Sequence, residues 1–164
     1  MGNTVNKNIH DSGHDHAQCV ADAIVTAREI CDSRGSRFTP IRKRVLELIW
    51  SGHHPITAYE VLDLLSKESK KTVAPPTVYR ALDFLIEEGF IHKLESLNAF
   101  VGCPDPEHSH QGHFLICQSC SIVQEISGNK LSGTLSGIAK DHGFSSKKTM
   151  LEILGLCSSC KDTE

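Results

Sequence analysis

Apolar residues recur along the first half of the chain at helical spacing. Val20, Ile24, Ala27 and Cys31 fall at i, i+4, i+7 and i+11, one stripe of a helix that ends near Gly35. In "FTPIRKRVLELIWSG" the stripe is Ile41, Val45, Leu48 and Ile49, with Thr39 as cap, Pro40 in the first turn and Gly52 as the stop. "TAYEVLDLLSKE" is a third helix, opened by Thr57 with Glu60 three residues on, the pattern of a capping box. "PPTVYRALDFLIEEGF" is a fourth, entered through Pro75 and Pro76 and ended by Gly89. Its core stripe is Val78, Ala81, Leu82, Leu85 and Ile86, and Arg80, Asp83 and Glu87 lie off that stripe.

After Gly89 the period shortens. "FIHKLE", a turn at "SLN" and "AFVG" predict a two-stranded hairpin. Helices followed by a hairpin is the order of a winged helix-turn-helix module. The loop "CPDPEHSHQG" then leads to short strands at "HFLIC" and "SIVQEI", a helix over 130–142 and a strand in "KKTMLEILGL". The expected fold is therefore α+β: a polar, His-rich tail over 1–16, disordered and holding His10, His14 and His16; a winged helix over 17–101; a hinge loop over 102–112; and a small α/β domain over 113–164.

Composition narrows the class. A chain of 164 residues that is 39% hydrophobic and 23% charged has the make-up of a soluble globular protein with a proper core. No run of about 18 apolar residues exists, so no membrane span is expected, and the first residues lack the apolar stretch of a secretory signal. The seven cysteines then point to a reducing cytoplasm and to metal chemistry over disulfides. Net charge is −3, but residues 28–93 carry eleven Lys/Arg against nine Asp/Glu while the remainder is acidic. That division suits a protein in which only the first part meets an anionic surface.

The chemistry lies in "HSHQGHFLICQSC", which packs three histidines and two cysteines into thirteen residues, and in the closing "CSSC". Cys117 and Cys120 form one CxxC pair, and Cys157 and Cys160 a second, 36 residues on. A two-residue spacer lets both sulfurs of a pair face one ion, and two pairs complete a tetrahedral, closed, structural zinc site. Further donors gather around the joint: His92 in the hairpin, Cys103 at its exit, His108, His110 and His113 in the loop, and Glu125 after the first CxxC. A mixed set with a single thiolate suits zinc better than iron or manganese. Such a site, drawing ligands from both halves, is one for sensing.

"RFTPIRKRVLELI", "PPTVYRALDFLIEEGFIHKLES", the His-rich loop before "FLICQSC" and the final "CSSC" closely resemble the ferric uptake regulator family, and within it the zinc-uptake branch. The resemblance covers roughly residues 20–160. It implies a cytoplasmic homodimer with a winged helix that binds double-stranded operator DNA and an α/β dimerisation domain, repressing zinc-uptake genes when zinc-loaded. Carried over by motif, the structural zinc ligands are Cys117, Cys120, Cys157 and Cys160, and the regulatory ligands are His92, Cys103, His110 and Glu125, with His108 and His113 as alternatives to His110. Two zinc ions per chain are therefore expected. Tyr79 and Arg80 are the implied DNA-reading residues, with Thr77, Arg42 and Lys43 beside them. Some relatives carry a second regulatory site with a histidine shortly before the last CxxC. Here that region is "TMLEILGLC", with no histidine, so that second site is not expected.

Two rival readings make distinct demands on the sequence. An iron- or peroxide-sensing repressor of the same fold is disfavoured by the thiolate of Cys103. A zinc-dependent hydrolase of the deaminase type needs an H-x-E sequence and a P-C-x-x-C pair. The chain has no H-x-E, and Ile116 precedes its first CxxC. The expectation is a non-enzyme with no small-molecule substrate.

Overall fold

The computed structural model describes residues 16–52, 54–69, 72–107, 112–126, 129–147 and 149–161. They fall into two compact units, one lying within Asp11–Ser109 and the other within His110–Glu164.

The first unit opens with helix α1, His16–Arg34. His16 is thus part of a helix, while the rest of the expected tail lies outside the described residues. Ile24, Ala27, Ile30 and Cys31 bury the inner stripe of α1, with Val20 packed at its edge. Gly35 takes φ +70°, which lets Ser36 N–H reach back to Cys31 O at 2.9 Å and close the helix. Helix α2, Pro40–Trp50, starts where its proline predicts. Thr39 stands at its N-cap but makes no side-chain cap bond, and the helix stops before Gly52: Ser51 is the C-cap, with its N–H and Oγ both on Leu48 O. Leu46 is as buried as Val45, because α2 packs against α1, α3, α4 and the sheet and so buries a wider arc than one stripe.

Strand β1, Ile56–Thr57, has two residues and no periodicity of its own, and the hydrophobic pattern does not announce it. It runs straight into α3, Ala58–Ser69. The capping box forms as expected: Thr57 N–H donates to Glu60 Oε2 at 2.7 Å, and Glu60 N–H donates to Thr57 Oγ1 at 3.3 Å. Helix α4, Pro75–Glu87, buries Val78, Ala81, Leu82 and Leu85. Gly89, at φ +82°, ends it, and Phe90 N–H donates to Leu85 O at 2.8 Å. Strands β2, Ile91–Leu94, and β3, Ala99–Gly102, form the wing, with Asn98 at φ +46° in its turn. The three strands pair antiparallel in the order β1-β3-β2. Gly102, expected as the first residue of the hinge loop, belongs to β3.

The second unit has strands β4, His113–Cys117, and β5, Val123–Glu125; helix α5, Asn129–Asp141; strand β6, Leu151–Gly155; and the short helix α6, Ser158–Lys161. The sheet order is β5-β4-β6, with β4 antiparallel to β5 and parallel to β6. A parallel neighbour needs a crossover, and α5 supplies it. β5 and β6 are shorter than "SIVQEI" and "KKTMLEILGL" predict, and α6 is absent from the sequence reading. Phe114, Ile116 and Val123 are buried, whereas Leu115, Ile153, Leu154 and Leu156 are exposed. The register places Leu115 beside Ile153 on one face of the sheet, so that face leaves apolar side chains uncovered.

Candidate metal centre and nucleic-acid interface

The parallel pairing of β4 and β6 sets Cys117 opposite Gly155, so the chain leaving β6 delivers the second CxxC beside the first. After Cys117 the chain turns tightly. Ser121 takes φ +56°, and Cys117 N–H donates to Ile122 O at 2.9 Å, which folds Cys120 back toward Cys117. Helix α6 does the same for the other pair, with Cys160 N–H on Cys157 O at 3.0 Å. The sulfurs of Cys117, Cys120, Cys157 and Cys160 all lie within 4.8 Å of one another. Those of Cys120 and Cys157 are 3.7 Å apart. Four thiolates at Zn–S distances of about 2.3 Å around a tetrahedron have edges of roughly 3.8 Å, which the Cys120–Cys157 separation matches, so the donor set fits zinc.

The electrostatics agree. The backbone N–H groups of Cys120 and Cys157 point at Cys117 and hold its thiol down at about 6. The Ile122 N–H pulls Cys120 down too, but burial and the neighbouring sulfurs outweigh it and push that thiol up to about 12. One sulfur ionises readily, and its charge opposes ionisation of the next. Only a cation in the middle makes four thiolates compatible.

In the first unit His92 stands on β2 opposite Val101, and Cys103 follows β3, buried, with its N–H on Phe90 O at 2.9 Å. The hairpin register brings their donor atoms within 4.8 Å of one another, one imidazole and one thiol at the root of the wing. Glu125 ends β5 in the second unit. His108 and His110 lie outside the described residues. His113 starts β4 and is buried, with Nε2 3.2 Å from Ser132 Oγ of α5. His113 is thus tied into the sheet-to-helix packing of the second unit.

On α4, Thr77, Tyr79 and Arg80 are all exposed, on the side opposite Val78, Ala81 and Leu82. Lys43 forms an i,i+4 ion pair with Glu47 at 3.4 Å. Arg42 is engaged within the unit: its guanidinium lies 3.5 Å over the Phe84 ring and donates to Arg37 O. A groove of about 270 Å³ between the start of α3, α4 and the wing is lined by Tyr59, Tyr79, Lys93, Leu97 and Asn98 among others. Sequence reasoning missed Tyr59, although it is 76% exposed.

The ferric uptake regulator family model matches residues 33–154. The chain belongs to the ferric uptake regulator family. It is 38% identical over 144 residues to the zinc uptake regulation protein of Escherichia coli (strain K12), covering 87% of this chain and 84% of that one. A solved zinc uptake regulator complexed with zinc and DNA superimposes with a TM-score of 0.83 at 36% identity, covering 88% of this chain and 96% of that one. The holo form of XcZur gives 0.79 at 44% identity, covering 86% and 98%. Like other members of the ferric uptake regulator family, the chain has an N-terminal winged helix-turn-helix domain followed by a small α/β dimerisation domain.

Proposed function

We propose that this protein is a zinc-responsive transcriptional repressor that binds operator DNA as a homodimer when zinc-loaded and represses zinc-uptake genes in the cytoplasm. It is a transcription regulator and not an enzyme. The observation that carries the zinc reading is the His92–Cys103 donor pair at the root of the wing, separate from the four-sulfur centre. A thiolate with an imidazole selects zinc over the harder iron and manganese. Two zinc ions per chain follow: a structural one at Cys117, Cys120, Cys157 and Cys160, and a regulatory one at His92, Cys103, His110 and Glu125.

When bound, the regulatory zinc supplies a positive charge that ties ligands from both units together. His92 and Cys103 bring the winged helix to that site, and Glu125 and His110 bring the dimerisation domain. Leu115 and Ile153, paired across β4 and β6 and both exposed, are the surface a second copy covers. With that surface joined, the dimer carries two copies of α4. Closing the ligand set narrows the separations these can sample toward about 34–36 Å or a multiple, the spacing of successive major-groove faces. Zinc and operator then strengthen each other's binding by one factor. On α4, Arg80 and Tyr79 read bases, while Thr77, Lys43 and the outer N–H groups of Arg42 meet phosphates.

Operator binding measured against titrated zinc, iron and manganese tests this. Tightest coupling to zinc is the expected result; a stronger response to iron or manganese overturns the zinc assignment. The experiment also requires two zinc ions per chain, with only one removed by a weak chelator.

A further inference from the structure

Gly102 ends β3 and does not take a left-handed φ, so its backbone conformation does not call for glycine. Its surroundings do. A Cβ at position 102 would stand inside the indole of Trp50, against Cε2, Nε1 and Cζ2. The ring of Trp50, the last residue of α2, therefore packs directly against the bare backbone of Gly102. Gly102 pairs with Ile91, the residue before His92, and is itself the residue before Cys103. The indole thus rests on the rung of the hairpin that immediately precedes both donors. Trp50 also sits at the far end of the helix that packs against α4. It is the chain's one tryptophan.

We infer that Trp50 is a positioning residue for the His92–Cys103 donor pair, with Gly102 as the space it requires. This rests on the reading that these two residues hold the regulatory zinc. The rigid, planar ring limits how far the end of β3 can shift toward α2, so the Cys103 sulfur and the His92 imidazole are held at ligand separation before metal arrives. It also gives a closing metal site a direct mechanical route to α2, and through α2 to α4.

The test uses the full chain loaded at its four-cysteine centre, with zinc titrated into the remaining site. Tryptophan emission, zinc per chain and operator binding are followed together. In the parent protein the emission of Trp50 is expected to change as this zinc binds. Gly102→Ala, which drives a methyl into the ring, is expected to weaken the labile zinc by about 10- to 100-fold, as loss of a ligand-orienting contact does, while the four-cysteine zinc stays in full. Trp50→Leu removes the ring without a clash and is expected to weaken the labile zinc as well; should Gly102→Ala fail to fold, this variant carries the test. The double variant is expected to bind more tightly than either single one, because the added methyl then fills the gap the ring has left. Parent-like affinity in Gly102→Ala or Trp50→Leu, or a Trp50 emission indifferent to the labile zinc, overturns the inference. His92→Ala, run in parallel, separates the two ideas. If it loses the labile zinc while Gly102→Ala and Trp50→Leu keep it, the ligand reading stands and the positioning role falls; if it keeps that zinc, both fall.

Discussion

The backbone N–H of Cys157 donates to the sulfur of Cys117 at 3.3 Å, across forty residues of chain. It exists because β4 and β6 run parallel and in register up to Cys117 and Gly155. The bond helps hold Cys117 as a thiolate. It ties the closing of the metal site to the closing of the sheet.

Cys117→Ser is therefore expected to do more than remove a ligand. Structural zinc contributes folding free energy directly, so the variant should lose that zinc and unfold the second unit, and the homodimer should come apart. Zinc counting with light scattering checks this. A folded, dimeric variant with parental zinc content would disprove the four-cysteine assignment.

Cys103→Ser and His92→Ala should behave differently, since His92 stands on β2 and Cys103 follows β3, in the first unit, whereas both CxxC pairs belong to the second. Each variant is expected to stay dimeric with its structural zinc and to lose zinc-stimulated operator binding. If Cys103→Ser still responds to zinc as the parent does, the regulatory ligands lie elsewhere.

Arg80 is exposed on α4, and a bidentate contact with a guanine would make Arg80→Ala cost about 1–3 kcal/mol per contact and relax preference at one position of each half-site. Lys43, held toward Glu47, reaches a phosphate at most. Lys43→Ala should weaken binding evenly across sequences and flatten its salt dependence. Affinities for the operator and its single-base variants, at fixed salt, discriminate the two. Parental base preference in Arg80→Ala would mean that another element reads the DNA.

The Thr57 backbone N–H, and then its hydroxyl, donate to Glu60 and hold that carboxyl below the usual carboxylate range. A carboxyl with a depressed folded pKa contributes stability that is full above its unfolded value of about 4.3 and is lost as pH falls through the folded value. Glu60→Gln should leave unfolding of the first unit less sensitive to pH below about 4.3. Thr57→Ala should cost about 0.5–2 kcal/mol at neutral pH. Chemical denaturation between neutral pH and pH 3 measures both, and an unchanged pH slope in Glu60→Gln would rule out the capping box as its source.

Much of this protein could be read directly from the chain. Helices α1 to α4 were legible because a helix is written locally: its period repeats every three or four residues, and its ends are marked by Pro40, Pro75, the Thr57–Glu60 pair, Gly35 and Gly89. The four cysteines were legible because a two-residue spacer already places two sulfurs on one side of a turn, whatever surrounds it. The family followed from those same motifs.

Tertiary structure decided what depends on a distant partner. β1 exists only because Ile56 and Thr57 meet Phe100 and Ala99, more than forty residues on, and two residues carry no period to announce that meeting. Leu46 lies off the expected stripe of α2 and is nonetheless buried, since α2 is enclosed on several sides. The cation of Arg42 faces Phe84 as well as solvent, which no spacing reveals. Gly102 is glycine because of Trp50, a contact between residues fifty-two positions apart. Hydrogen bonding within a helix is settled by neighbours in sequence, whereas strand pairing and close packing are settled by whichever surface the rest of the chain brings alongside.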